Sequence, residues 1–483
     1  MNPQHGDNSV HRVWKSASVL GCVFAAAIVV VACGSGSSTP ASGNSTVNVM
    51  LSDPATCQAP NGPFSHVYVT ITDVKADTSA TAAATDNTWV DLTPGLSNAP
   101  KQIDLLGQAN NNCFLATLGD NMQLQAGTYQ QIRLILASNS ATGISGNACG
   151  SAANCVVLTS DNSVHTLQLS SEAQTGIKIP SGQIASGGFT IGAGQTKDLD
   201  IDFNTCSSIV VEGNGQYRLK PVLHAGEISA TSTSINGKVF DSATGNPIGG
   251  SAVVSVEQKD STGVDRTTMS TTVAADGSFV FCPLPSGSYD VVITATRNDG
   301  VMYQPVIVTG VSVGSTVGTV KLMVPSATAT STATLKGTVT SQNSAMPAAG
   351  TVADVSLSAL ETVNAGIYTI PLPPTSAQSS TTLSVETAAS TGTTTCPNGT
   401  DCVNYSMMLP SAGASIGAWS SSGVSLTAGA TWAAYVVDGT AVVPGSGGTP
   451  DCSPSEVKSQ TVTLASGGPL TVTASTLGFV QCQ

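Results

Sequence analysis

The sequence predicts an all-β chain of three β-sandwich-like domains in tandem, behind a cleaved signal peptide. Short valine- and isoleucine-rich runs of period two recur along its 483 residues, and Gly, Pro, Ser and Thr separate them. Only 9% of residues are charged, which is too few for the Glu- and Lys-rich outer faces of helical bundles and suits exported sandwiches with many turns. With 41% hydrophobic residues the bulk of the chain is ordered, and its length is enough for about three domains.

The signal occupies residues 1–32. A polar start carries Arg12 and Lys15, an uncharged apolar run extends from Ser16 to Ala32, and a small residue precedes Cys33. The run is short for a membrane-spanning helix, which needs about 20 apolar residues. An uncleaved anchor and a plain secretory signal are the alternatives. Val30-Val31-Ala32-Cys33 resembles a bacterial lipobox, which implies cleavage before Cys33, a diacylglycerol on its sulfur and a lipid-anchored place in the bacterial cell envelope. Gly34 stands where the retention signal of enteric bacteria has aspartate, which favours the outer membrane. Residues 33–45, rich in Gly and Ser, form the lipidated tether, with a coil span of about 20 Å.

The first domain, 46–227, is built of alternating runs. Val47, Val49 and Leu51 face one way, Val67, Val69, Ile71 and Val74 belong to a longer strand, and Ile132, Leu134 and Leu136 form another. Turns such as Gly192-Ala193-Gly194 separate the runs, giving a sandwich or barrel of about eight to ten strands. Seven segments, among them His66-Val-Tyr-Val-Thr-Ile-Thr-Asp-Val74, Ala126-Gly-Thr-Tyr-Gln-Gln-Ile-Arg-Leu134 and Leu199-Asp-Ile-Asp-Phe203, follow one another in a family order. By them the domain resembles an uncharacterised bacterial lipoprotein family, domain of unknown function 4382. The resemblance implies a fold and an envelope context, and brings no activity.

The second domain, 235–325, carries Asp276-Gly277 as a tight turn, with Phe279 and Phe281 on one strand face. Ile235-Asn-Gly-Lys-Val239, Asp276-Gly-Ser-Phe-Val-Phe281 and Leu284-Pro-Ser-Gly-Ser-Tyr-Asp-Val291 resemble a carboxypeptidase regulatory-like domain, a transthyretin-like sandwich grouped with carbohydrate-binding-like folds. The resemblance implies a spacer or interaction module and no peptidase activity. A Thr-rich linker, 326–334, leads to the third domain, 335–483, where Leu335-Lys-Gly-Thr-Val339 echoes Ile235-Asn-Gly-Lys-Val239. Leu383, Val385, Val424, Leu426, Trp432, Ala434, Val436 and Val472 are its expected core.

The net charge of −13 becomes −14 once Arg12, Lys15 and Asp7 leave with the signal, and the few basic residues are scattered. Nucleic acid is excluded as a partner. Beyond Cys22 and Cys33, ten of the twelve cysteines remain, and in an oxidising envelope pairing is expected. Cys149 with Cys155 and Cys396 with Cys402 bracket short turn-forming loops that lack zinc-knuckle spacing. Cys452 with Cys482 and Cys57 with Cys113 are paired by position alone, and Cys206 and Cys282 are left without obvious partners.

Candidate chemistry is sparse. Gly413-Ala-Ser415-Ile-Gly417 spells a nucleophile elbow, but no helix pattern follows it and the last histidine is His224. Asp198, Asp200 and Asp202 alternate on one strand face, a candidate calcium site that fails the EF-hand pattern at Phe203 and Ile209 and reads more simply as a solvated face, with Asp202 the expected exception because the resembling family also has aspartate before that phenylalanine. His66, His165 and His224 fall in separate segments. The sequence thus points to a lipid-anchored, non-catalytic binding or structural module, with no cofactor and a glycan or another envelope protein as partner. One rival is a carbohydrate-binding surface lipoprotein, expected if Trp89, Trp419 or Trp432 lies exposed in a groove. The other is a metal-dependent hydrolase, expected if the aspartates and a histidine converge in a cleft.

Overall fold

The computed structural model describes residues 44–53, 64–109, 116–169, 175–211, 216–228, 234–249, 251–297, 299–325, 332–372, 382–390, 394–442, 452–465 and 470–482. The signal, Cys33, the tether up to residue 43, Cys57 and Cys113 lie outside them. Strands dominate, as the alternating runs predict, and the α-helices are single short turns at Leu105–Ala109 and Thr205–Ser208.

Residues 44–228 form two facing sheets and a small two-stranded ribbon of Gly127–Tyr129 and Phe189–Ile191. One has four strands in the order Leu223–Ile228, Thr196–Phe203, Asn44–Ser52, Ala116–Gln125. The other has nine strands and is built around the long Phe64–Asp77 strand. Alternation decides the packing: Val47, Val49, Leu51, Leu199, Ile201 and Phe203 from the first sheet meet Val67, Val69, Ile132 and Leu134 from the second in one core, all fully buried. The Cys149–Cys155 loop is pinned onto the nine-stranded sheet by Asn154, whose Oδ1 accepts from the Thr70 amide at 2.8 Å.

Residues 235–322 make a seven-stranded arrangement. Ile235–Asp241 lies between Ser278–Phe281 and Thr316–Leu322 and faces Ala252–Lys259, Val264–Thr272, Ser288–Ala295 and Val306–Ser312. Phe279, Phe281, Tyr289 and Val291 fill the space between. Gly277 takes φ +82° at the turn, where a Cβ would stand 2.7 Å from the Val239 carbonyl oxygen.

The third core lies between the Thr332–Asn343 sheet and the sheet containing Asp354–Val363 and Ala434–Val442. Here the alternation runs opposite to expectation: Ala433, Tyr435 and Val437 are buried and Ala434 and Val436 are only half-buried, a one-residue offset that exchanges the two faces. Leu426 is exposed, and Val424 packs against the second core instead.

The described residues form one compact unit. An eleven-stranded sheet runs through the second and third cores. Val264 and Asp265 pair in parallel with Ile367 and Tyr368, and Val306–Thr309 pair in parallel with Ser415–Ala418. Val292 and Ile307 of the second region reach into the third core. A buried acid ties the same junction: Glu257 accepts from the Thr369 amide at 3.1 Å, while Glu361 accepts from the Ala414 amide at 3.1 Å within the third region. Burial holds the Glu257 carboxyl well above the usual range and pushes Glu361 up to about 8.

Candidate functional site

The Thr196–Phe203 strand lies between Asn44–Ser52 and Leu223–Ile228, which sets Asp202 opposite His224 and Asp200 opposite Gly226. Leu199, Ile201 and Phe203 point into the core, so the aspartates point out. That outer face is not solvated at its far end. Thr268, Met269, Pro283 and Pro285 close over it, and Asp200, Asp202 and His224 are only 4%, 3% and 5% exposed. The expectation of a solvated aspartate face is corrected here for Asp200, because the second region packs on it; Asp202, the expected exception, is buried with it. Asp198, half-buried, accepts from Asn48 Nδ2 at 2.7 Å. Gly226 permits the approach: a Cβ there would stand 2.9 Å from Pro285 Cγ.

The cluster is short of partners. Ser52 Oγ donates to Asp200 Oδ2 at 2.7 Å and the Thr205 amide to Asp53 Oδ1 at 2.9 Å. Asp53 Oδ2, Asp200 Oδ1, both Asp202 oxygens and His224 Nδ1 have no hydrogen-bond partner, and His224 Nδ1 stands 4.0 Å from Asp202 Oδ2. Burial therefore favours the neutral forms. It pushes Asp200 up to about 7, raises Asp53 and Asp202 well above the usual carboxylate range, and takes His224 down to about 4. An acid and a base with pKa values displaced in opposite directions resemble a proton-transfer pair. Reach decides against that use, since the crevice beside Asp200 and Asp202 is about 10 Å³, room for a single water.

His224 also borders a larger polar cavity of about 220 Å³ where the three regions meet. Its wall holds an ion-pair cluster. Arg266 Nε lies 3.0 Å from Asp260 Oδ2, Nη1 2.6 Å from Asp438 Oδ2 and Nη2 2.8 Å from Glu456 Oε1. Lys458 Nζ adds 3.0 Å to Glu456 Oε1. Asp438, 2% exposed, has its carboxyl pushed up to about 6 by burial against the pull of Arg266, and its Oδ1 has no partner. Opposite stand Ser356 and Ser358, paired in register with Thr440 and Asp438.

The other sequence candidates are dispersed. His66 Nδ1 pairs with Asp104 Oδ2 at 2.7 Å and His165 Nε2 with Ser163 Oγ at 2.8 Å. Among the described residues no group of three or more His, Cys, Asp or Glu side chains is placed to hold a metal ion. Ser415 begins an edge strand, and its buried Oγ accepts from the Gly429 amide at 3.4 Å. The flanking glycines serve packing: a Cβ on Gly417 would stand 2.3 Å from the Ser425 carbonyl oxygen. Each tryptophan in question is half-buried. Trp89 lies under the Arg133 guanidinium at 4.8 Å, Trp419 packs on the second core and Trp432 on the third. Cys149 is joined to Cys155, Cys396 to Cys402 and Cys452 to Cys482, and Cys282 is also disulfide-bonded.

Fold and site together define an all-β protein of packed sandwiches with polar junctions. Its first region, residues 44–221, matches the model of the family described as Domain of unknown function (DUF4382). No curated protein matches the chain. Among solved structures, the Bacillus anthracis TIE protein is 12% identical with a TM-score of 0.15, over 91% of this chain and 50% of that one, so the chain spans about half its length. GBS52, the minor pilin of Streptococcus agalactiae, is 13% identical with a TM-score of 0.17, over 52% of this chain and 97% of that one. A DUF3823 family protein from Bacteroides uniformis is 14% identical with a TM-score of 0.15, over 48% of this chain and 98% of that one.

Proposed function

We propose that the chain is a lipid-anchored, non-catalytic binding or structural protein of the bacterial envelope, held at the outer membrane by a diacylglycerol on Cys33 after loss of residues 1–32. One observation carries the non-catalytic part: the ionisable residues that could do chemistry are engaged in joining the regions. Asp200 and Asp202 are sealed beneath the second region, and Glu257 and Arg266 bridge the second and third. Catalysis needs such groups within hydrogen-bond reach of a substrate. The two-sheet arrangement of residues 235–322 supports reading 235–325 as a carboxypeptidase regulatory-like module. The same reading takes 46–227 and 335–483 as the flanking sandwiches.

Two measurements test this. Cys33→Ser should move the protein from the membrane to the soluble or unprocessed fraction, and unchanged membrane retention would refute the anchor. A screen of esterase, glycosidase and peptidase substrates with the purified chain should show no turnover. Reproducible turnover lost in Asp200→Asn, Asp202→Asn or Ser415→Ala would instead establish an enzyme. A second reading, carbohydrate binding, loses the half-buried tryptophans as a stacking platform and gains the hydroxyl-bearing cavity.

A further inference from the structure

We propose that the 220 Å³ cavity where the three regions meet is a binding site for one small neutral polyol, of the size of a single sugar ring. The inference rests on the reading of the chain as a binding protein and names the ligand class.

Three properties of the wall narrow the occupant. The volume lies below the range of about 300–1,000 Å³ of sites for drug-sized ligands, so a single small ring or its equivalent is the limit. The wall carries no aromatic side chain, its residues are mostly hydroxyl-bearing or charged, and its surface is shared evenly between polar and apolar atoms, which suits a ligand that carries both hydroxyls and C–H groups. Anions are disfavoured because all three guanidinium nitrogens of Arg266 already face carboxylates.

What the wall still offers is a row of hydroxyls. Asp438 Oδ1 has no partner but is closed off from the cavity, so it is not open to a ligand. Ser358, the register neighbour of Asp438, and Ser356 with Thr440, the next pair along the same two strands, are half-buried on the wall. A hydroxyl ligand exchanges hydrogen bonds with these Ser and Thr groups, which donate and accept alike. Recognition by hydrogen bonds alone, with no ring to stack on, implies weak binding and sharp dependence on hydroxyl geometry.

The test is titration of the full chain with glucose, galactose, mannose, glucosamine and inorganic phosphate, followed by calorimetry and by saturation transfer from protein to ligand. At least one neutral sugar should bind, and Ser358→Val and Thr440→Val should each weaken it about tenfold or more with the melting temperature kept. Because Asp438→Asn also disturbs Arg266, the two hydroxyl variants are the decisive ones. The proposal is overturned if no neutral sugar binds, if only glucosamine or phosphate binds, or if binding survives both hydroxyl variants. Failure here with no turnover in the substrate screen removes the ligand class alone, whereas turnover removes the non-catalytic reading itself.

Discussion

Asp200 is a carboxyl held up to about 7 with its outward oxygen unpartnered, and this has a signed consequence for stability. Its folded pKa lies above the unfolded value, so the stability it allows is fully present below about pH 4 and is lost as pH rises to about 7, on the order of 4 kcal/mol in all. His224, taken down to about 4, acts in reverse: its contribution is present above about pH 6.5 and is lost as pH falls to about 4. Asp200→Asn, which keeps an acceptor for Ser52, should therefore raise the melting temperature at pH 8 and change it little at pH 4. A gain that does not grow between those pH values would show that the carboxyl is not neutralised by burial. The sequence exposed the alternation of these aspartates but not their burial, because their cover comes from Met269, Pro283 and Pro285, remote in the chain. The one local hint was Gly226, whose missing side chain admits Pro285.

At the scale of the strand, Gly413 to Gly417 shows why a motif's spelling and its use can part. The Ser415–Ala418 strand lies along Val306–Ser312, with Ile416 bridged to Thr427 on its other side, and the glycines allow that contact. Gly417→Ala should destabilise by about 1–3 kcal/mol, because the new Cβ meets a backbone oxygen that cannot swing away. Ser415→Ala should lose only about 1 kcal/mol, the share of one long hydrogen bond. Denaturant melts of the two variants decide it, and the reverse ranking would restore the serine as the selected feature. Loop length orders the disulfides. Replacing Cys452 and Cys482 by serine should cost about 3–4 kcal/mol against about 2 kcal/mol for Cys396 and Cys402, since the longer loop confines the unfolded chain more. Equal losses would mean that native contacts, not chain entropy, set the scale. Period-two patterns gave the first two cores through Val47, Val49, Leu51, Phe279 and Phe281, the last two the larger side chains of their strand. In the stretch from Ala433 to Val437 both faces carry small or apolar residues, so the pattern did not distinguish them and only the packing of Tyr435 does.

For the whole molecule, the eleven-stranded sheet and the Arg266 cluster make the second and third regions one mechanical body. Calorimetry of the chain should show them melting together. Arg266→Leu, which strands Asp438 and Glu456, should lower stability by about 3 kcal/mol or more and split that transition. A wild-type scan with separate second and third transitions would refute the coupling. No pattern in the sequence announces this joining, because the pairs that make it, such as Thr309 with Ala418, are far apart in the chain and two of the four are Gly417 and Ala418, which carry no strand signal. The same pairing sets an order of events at birth. Val306–Ser312 is complete about a hundred residues before Ser415–Ala418 is made, an interval of about 5–20 s at ordinary rates of synthesis. Throughout it the second region's sheet has an open edge of valine and isoleucine, the template on which a neighbouring chain can add a strand of its own. A nascent chain of this protein is thus most vulnerable to its own kind in the seconds before its late strand arrives, and a chaperone that shields one sheet edge for that time would be enough to carry it through.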